Sequence, residues 1–240
     1  MEKQEIFNQA IEKEEFEGYN KEALLSIGIT IGNNHVTFRD LYTAYSTNKD
    51  RYENNPRRGA KIEVEFNRSN DEVLVKQLKT ELKFSIEQFL RYLNLLTLCF
   101  GEIYPLGSVV ELDEKLFTEE YRKISGIKEG ERSVLAVITD RFMPVPVSGS
   151  SDQHVIEYMA TAYPYGDGAT MFLNRVVIKG MIHSGLADEK EEAYVQELRE
   201  NLVMSGRKSI AFLTDEERAG LAKQRKAANE RKKLIDGEVS

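Results

Sequence analysis

The 240-residue sequence has no tryptophan, one cysteine, five prolines and three histidines. The lone thiol, Cys99, cannot form an internal disulfide, and its apolar neighbours suit a core position in a reducing cytosol. The longest apolar run, residues 93–100, is broken by Asn94 and Thr97. It falls far short of the roughly 20 residues that span a bilayer. Residues 1–20 are rich in Glu and have no apolar segment of signal-peptide type, so export by that route is not expected. His35, His154 and His183 fall in different predicted elements, and none has the i, i+4 partner of a metal-binding helix. No metal site and no cofactor are expected. Phosphate loop, dinucleotide fingerprint and nucleophile elbow are missing, and Ser108 beside Gly107 lacks the flanking pattern of an elbow. No catalytic residue is assigned, and the expectation is a protein that is not an enzyme.

The composition is that of a globular chain. Apolar residues make up 41% and charged residues 30%, too apolar for wholesale disorder. A chain of this length can bury roughly 72% of its extended surface in one large domain or two small ones. Lys+Arg 33 against Asp+Glu 40 gives a net charge of -7, which argues against non-specific binding to nucleic acid or anionic membrane. One segment runs against that balance. Residues 218–235 hold seven basic side chains and only Glu230 on the acidic side. With no aromatic residue after position 218 there is no base-stacking platform. Neither direct nucleic-acid binding nor membrane insertion is expected. A bipolar surface of this kind favours protein partners of complementary charge.

The patterning predicts an α+β protein: a helical N-terminal half (1–102), a small, mostly antiparallel sheet domain (103–205) and a basic C-terminal helix (206–240). Ile6, Phe7, Ala10 and Ile11 follow helical spacing. Residues 23–31 read as a strand, followed by a turn at Gly32-Asn33-Asn34. Thr37 and Asp40 form a capping box that opens a helix to about Tyr52. Ile62, Val64 and Phe66 alternate as a strand. Ser69 and Glu72 cap a long spine helix with a stripe through Val75, Leu78, Leu82, Ile86, Phe89, Leu93, Leu96 and Phe100, ended by Gly101. Strands are expected near 108–112, 133–138 and 155–162, with Pro144 and Pro146 in a loop or at an edge. A short helix is expected at 118–123, a charged loop at 126–131 and a tight turn at 166–168. An acidic helix covers 188–202, with Ala193, Tyr194, Leu198 and Leu202 as its apolar residues. Thr214 and Glu217 form a further capping box, opening the basic helix. That helix has little apolar surface to bury, so it projects into water or docks on an acidic partner through Leu221, Arg225, Lys226, Arg231, Lys232 and Leu234.

The second half carries Pro-Leu-Gly-Ser-Val-Val at 105–110, Tyr-Pro-Tyr-Gly at 163–166, and Phe-Leu-Asn at 172–174 leading to Ile178, Ile182 and an acidic helix. It thereby resembles a small bacterial domain family found in the gene clusters of Gram-positive type VII secretion systems. Pro105, Gly107, Pro164, Gly166 and Asn174 carry over as fold-defining positions: Pro at strand ends, Gly at tight backbone, Asn at a cap. The stretch between Leu112 and Ser133 looks inserted relative to compact members. In size, acidic N-terminus and this domain together, the chain is similar to a cytosolic accessory protein of the staphylococcal type of system. That resemblance implies a chaperone or adaptor that binds a secreted toxin, a nuclease among the candidates, and delivers it to the membrane ATPase. It also implies a cytoplasmic location with recruitment to the membrane through the machinery. An immunity protein that neutralises a cognate toxin is the alternative. Without Trp the chain lacks the Trp-x-Gly turn of secreted substrates, and its Tyr163-to-Asp167 Tyr-x-x-x-Asp spacing falls in a predicted strand-turn, not a terminal helix.

Overall fold

The computed structural model describes residues 2–12, 16–56, 59–117, 134–164 and 170–238; for residue 225 and residues 228–238 it describes the backbone alone. The protein is α+β. Helices α1 (Lys3–Ala10), α2 (Lys21–Gly32) and α3 (His35–Ser46) lead into a meander of β1 (Arg51–Glu53), β2 (Ile62–Asn67), β3 (Glu72–Gln77) and β4 (Thr80–Phe84), then α4 (Ile86–Phe100). The second half holds β5 (Val109–Leu112), β6 (Val134–Val145), β7 (His154–Ala162), β8 (Met171–Leu173), β9 (Ile178–His183), α5 (Glu189–Met204), β10 (Lys208–Ser209) and α6 (Asp215–Glu238).

The first sheet runs β1-β2-β3-β4, antiparallel throughout. Ile62, Val64, Phe66, Val73, Val75, Leu82 and Phe84 alternate onto its inner face and join the core beneath α2 and α4. Every residue from Phe89 to Phe100 except Arg91 is buried, which makes α4 the centre of the molecule. Each such Leu or Phe contributes about 1.5–3 kcal/mol by leaving water. The same core takes in Leu202 and Val203 from α5 and Ala211 and Phe212 beyond β10. The second sheet runs β10-β7-β6-β5-β9, with β8 also on β7; only the β10–β7 pair is parallel. A smaller core of Val110, Leu112, Ala136, Ile138, Tyr158, Ala160 and Ile178 lies against it.

The C-terminus of α4 gathers positive charge. Arg199, 3% exposed, donates to the carbonyls of Leu98 (2.7 Å), Cys99 (2.8 Å) and Gly101 (2.7 Å). Arg175 donates to Thr97 O (3.3 Å) and Lys3 to Phe100 O (3.1 Å). Three cations thus satisfy orphan carbonyls and oppose the helix dipole. Burial, with the Arg175 charge nearby, lowers the Arg199 guanidinium to about 10.

Several expected elements differ. Residues 23–31 are helix, not strand. Ala23, Leu24, Ile27, Gly28 and Ile31 are the buried set, a helical spacing, and Asn20 caps the N-terminus by accepting from Ala23 N (3.0 Å). Gly28 lets α2 approach closely, since a Cβ there would lie 2.4 Å from the Phe7 ring. The next helix is capped by Asn34, so Thr37 sits inside it, and it ends at Ser46 with β1 following. The spine helix begins at Ile86, behind a Ser85–Gln88 capping box. Residues 72–84 form the β3–β4 hairpin, with Leu78 in the turn and not on a helical stripe. Pro144 lies within β6, opposite Val155. On the acidic helix α5, Leu202 is buried and Leu198 half-buried, whereas Ala193 and Tyr194 are exposed. The expected features at 118–123, 126–131 and 166–168, with Gly166, lie outside the described residues.

Candidate functional site

The most concentrated chemistry lies where four elements meet. The loop 148–153 enters β7 at His154, β10 pairs in parallel with that strand (Lys208 opposite His154), and α6 starts just beyond. The Thr214–Glu217 capping box forms as expected: Glu217 N donates to Thr214 Oγ1 (3.3 Å) and Thr214 N to Glu217 Oε2 (2.8 Å). Cap geometry turns the Glu217 carboxylate back toward β10. There it accepts from Lys208 Nζ (3.0 and 2.8 Å) and Ser150 Oγ (3.0 Å). Burial alone would raise the Glu217 carboxyl. The Lys208 ammonium, the Thr214 amide and the Ser150 hydroxyl outweigh it and hold the group at about 2.

Asp152 completes the cluster. Its carboxylate lies 3.3 Å from Arg91 Nη2 of α4 and 3.7 Å from Lys208 Nζ. His154 is fully enclosed: Nδ1 is 3.0 Å from the Asp152 carbonyl oxygen and Nε2 is 3.3 Å from Glu217 Oε1. An open hollow of about 220 Å³ borders the cluster, lined by Glu87, Arg91, loop 148–152, Thr214 and Glu216. Behind it, Glu157 is buried, has no ion pair among the described residues, and accepts from Ser209 Oγ and from Arg175 N (2.9 Å). Burial pushes its carboxyl up, and the two hydrogen bonds oppose that shift. Asn94 ties α4 to β10, accepting from Ser209 N (2.9 Å) and donating to Arg207 O (3.0 Å).

A second surface is apolar. Strand β9 ends its sheet, and among the described residues no strand pairs with its outer side. Ile182 is 59% exposed on it, and Leu186 just beyond is 78% exposed. Leu186 and Leu106, itself 48% exposed, line one shallow hollow with Asp188, Lys190 and Glu191.

No family model, curated protein or solved structure matches the chain.

The expected partner-binding residues Leu221, Arg225, Lys226, Arg231, Lys232 and Leu234 all fall on α6, a helix about 36 Å long. Leu221 is half-buried and Lys226 exposed. The helix base is held at the loop: Gln224 Oε1 accepts from Ser148 N (3.1 Å), and a Cβ on Gly220 would lie 2.3 Å from Ser148 O. Gly107 adopts the left-handed backbone (φ 81°) before β5, Pro105 stands two residues earlier, and Asn174 caps a short 3₁₀ turn by accepting from Val177 N (3.3 Å). Pro164 follows a cis peptide at the end of β7. The three histidines sit in separate elements. The grouping that sequence reasoning missed is His154 with Asp152 and Glu217, because only the long-range β10–β7 pairing brings α6 to the start of β7. The one local signal was the cap itself, which aims Glu217 back along the chain.

Proposed function

We infer that the chain is a cytosolic adaptor of a type VII secretion system, one that holds a secreted toxin and presents it to the membrane ATPase of that machinery. The observation that carries this reading is the apolar edge at β9, where Leu106, Ile182 and Leu186 are offered to solvent beside an open strand. Large apolar side chains grouped at a free edge suit an extended client segment, which gains main-chain pairing and side-chain burial together. Two further points support it. The motif order in residues 105–198 resembles the family found in those gene clusters, and the α6 segment 218–235 offers basic charge to an acidic surface on client or machine. Among the described residues no helix is long and apolar enough to cross a membrane, which accords with reaching the membrane through a partner.

Co-expression with each toxin encoded in the same locus tests the reading. Ile182→Asp with Leu186→Asp is expected to cut recovery of the client at least about tenfold while leaving the circular dichroism spectrum unchanged. Undiminished recovery removes the edge from the interface. A chain ending at Gln224 reports separately on the basic segment, and full recovery without it removes that segment from client binding. Stoichiometric inhibition of the toxin's enzyme activity would make the protein an immunity factor and not a carrier.

A further inference from the structure

One contact settles how His154 carries its proton. Its Nδ1 lies 3.0 Å from the carbonyl oxygen of Asp152. A carbonyl oxygen only accepts, so Nδ1 bears the hydrogen, and in the neutral ring Nε2 is a bare lone pair. That lone pair is buried, lies 3.3 Å from Glu217 Oε1 and, among the described residues, has no hydrogen-bond partner. Two acceptors facing each other out of water repel unless a positive charge stands between them. Lys208 does not supply it: its ammonium is spent on the Glu217 carboxylate, 2.8 Å from Oε2 and 3.0 Å from Oε1, and gives nothing to the imidazole.

A third donor is at hand. One ligand atom each from Asp152, His154 and Glu217 lie within 4.8 Å of one another. Ligand atoms sharing a tetrahedral zinc ion are about 3.4 Å apart, and the 3.3 Å between His154 Nε2 and Glu217 Oε1 already has that spacing, with the 25% exposed Asp152 side chain beside them. The charge count points the same way. Among the described residues, Glu87, Asp152, Glu216 and Glu217 surround the hollow and the cluster against Arg91, Arg207 and Lys208, four negative groups to three positive.

We propose that Asp152, His154 and Glu217 form a binding site for one divalent transition-metal ion of the zinc class. The hydrogen bond from Nδ1 to a main-chain carbonyl is the orienting contact that metal-bound imidazoles make through their second nitrogen. The imidazole selects zinc-class ions over magnesium and calcium, which prefer oxygen donors throughout. The bordering hollow gives the ion a route in and leaves room for a water or partner group as a fourth ligand. Bound there, the ion ties loop 148–152 to the first turn of α6 and so sets how that helix leaves the body.

The full chain, stripped with chelator, is titrated calorimetrically with zinc chloride and separately with magnesium and calcium chloride. The expected result is one zinc ion per chain and no heat from the other two. His154→Gln abolishes the binding, Asp152→Asn weakens it about tenfold or more, and His183→Gln leaves it unchanged. Because His154 is buried and its replacement can unfold the chain, nitrogen-15 spectra of the wild-type imidazoles give a second readout: zinc shifts Nε2 of His154 and leaves His35 and His183 in place. Absence of stoichiometric zinc binding overturns the proposal, as does binding retained in both His154→Gln and Asp152→Asn. A His154 ring protonated on both nitrogens at pH 7 and indifferent to zinc also overturns it, a proton then filling the gap.

Discussion

At the scale of single residues, Glu157, Arg199 and Lys208 bring charge into the interior, and each group is accommodated differently. Arg199 donates to three main-chain carbonyls and, among the described residues, pairs with no carboxylate, so its removal would strand those carbonyls at the end of α4. Glu157 is the opposite case: a buried acid with two hydrogen-bond donors and, among the described residues, no ion pair. Burial raises its carboxyl in the folded state. A raised acid binds its proton more tightly when folded, so its contribution to stability is full below the unfolded value of about 4.3 and is lost as pH rises through the folded value. Glu157→Gln keeps the shape and an acceptor for Arg175 N without the charge. Urea unfolding from pH 4 to 8 is expected to show the wild type losing stability relative to Glu157→Gln as pH rises. A difference that stays constant across that range would refute the assignment.

At the scale of elements, the tightest local constraint is the β3–β4 turn. Leu78 stands in the left-handed backbone region (φ 55°) with 86% of its surface in water, so its side chain returns nothing for the strain. That conformation costs a residue with a Cβ roughly 1–2 kcal/mol, and glycine adopts it freely at the first position of a two-residue turn. Leu78→Gly is therefore expected to stabilise the protein by about 1 kcal/mol, raising the melting temperature by about 2–4 °C in a scan; a lower midpoint would contradict it. The same turn explains where the sequence misleads. Val75, Leu78 and Leu82 fit a helical stripe running into α4, but Val73, Val75 and Gln77 with Leu82 and Phe84 also fit two alternating strands, and the inner face of the sheet decides between them. The Ser85–Gln88 box marks the true start. In α2, β-branched Ile27, Ile29 and Ile31 look like one strand face, yet close packing on α1 and α4 overrides that preference. Strand β2, the Thr214 cap and the Asn174 turn were legible because neighbours in sequence make them. The His154 cluster was not, since its partners meet only through strand pairing across the chain.

At the scale of the whole molecule, the two halves share one interior. Phe212 is fully buried and packs edge-on against Phe38 and Tyr42, while Tyr42 donates to the Ala211 carbonyl (2.9 Å). Phe212→Ala should cost about 3–5 kcal/mol. Followed by hydrogen exchange in denaturant, β2–β3 and β6–β7 are expected to lose protection together in both wild type and variant. Separate midpoints for the two sheets would show that the halves unfold on their own. Because Leu202, Val203, Ala211 and Phe212 complete a core begun at Ile6, the ribosome must deliver the chain through Phe212 before that core can shut. Until then the apolar floor of α4 stays open to water, and that exposed surface is what cellular chaperones bind on a nascent chain.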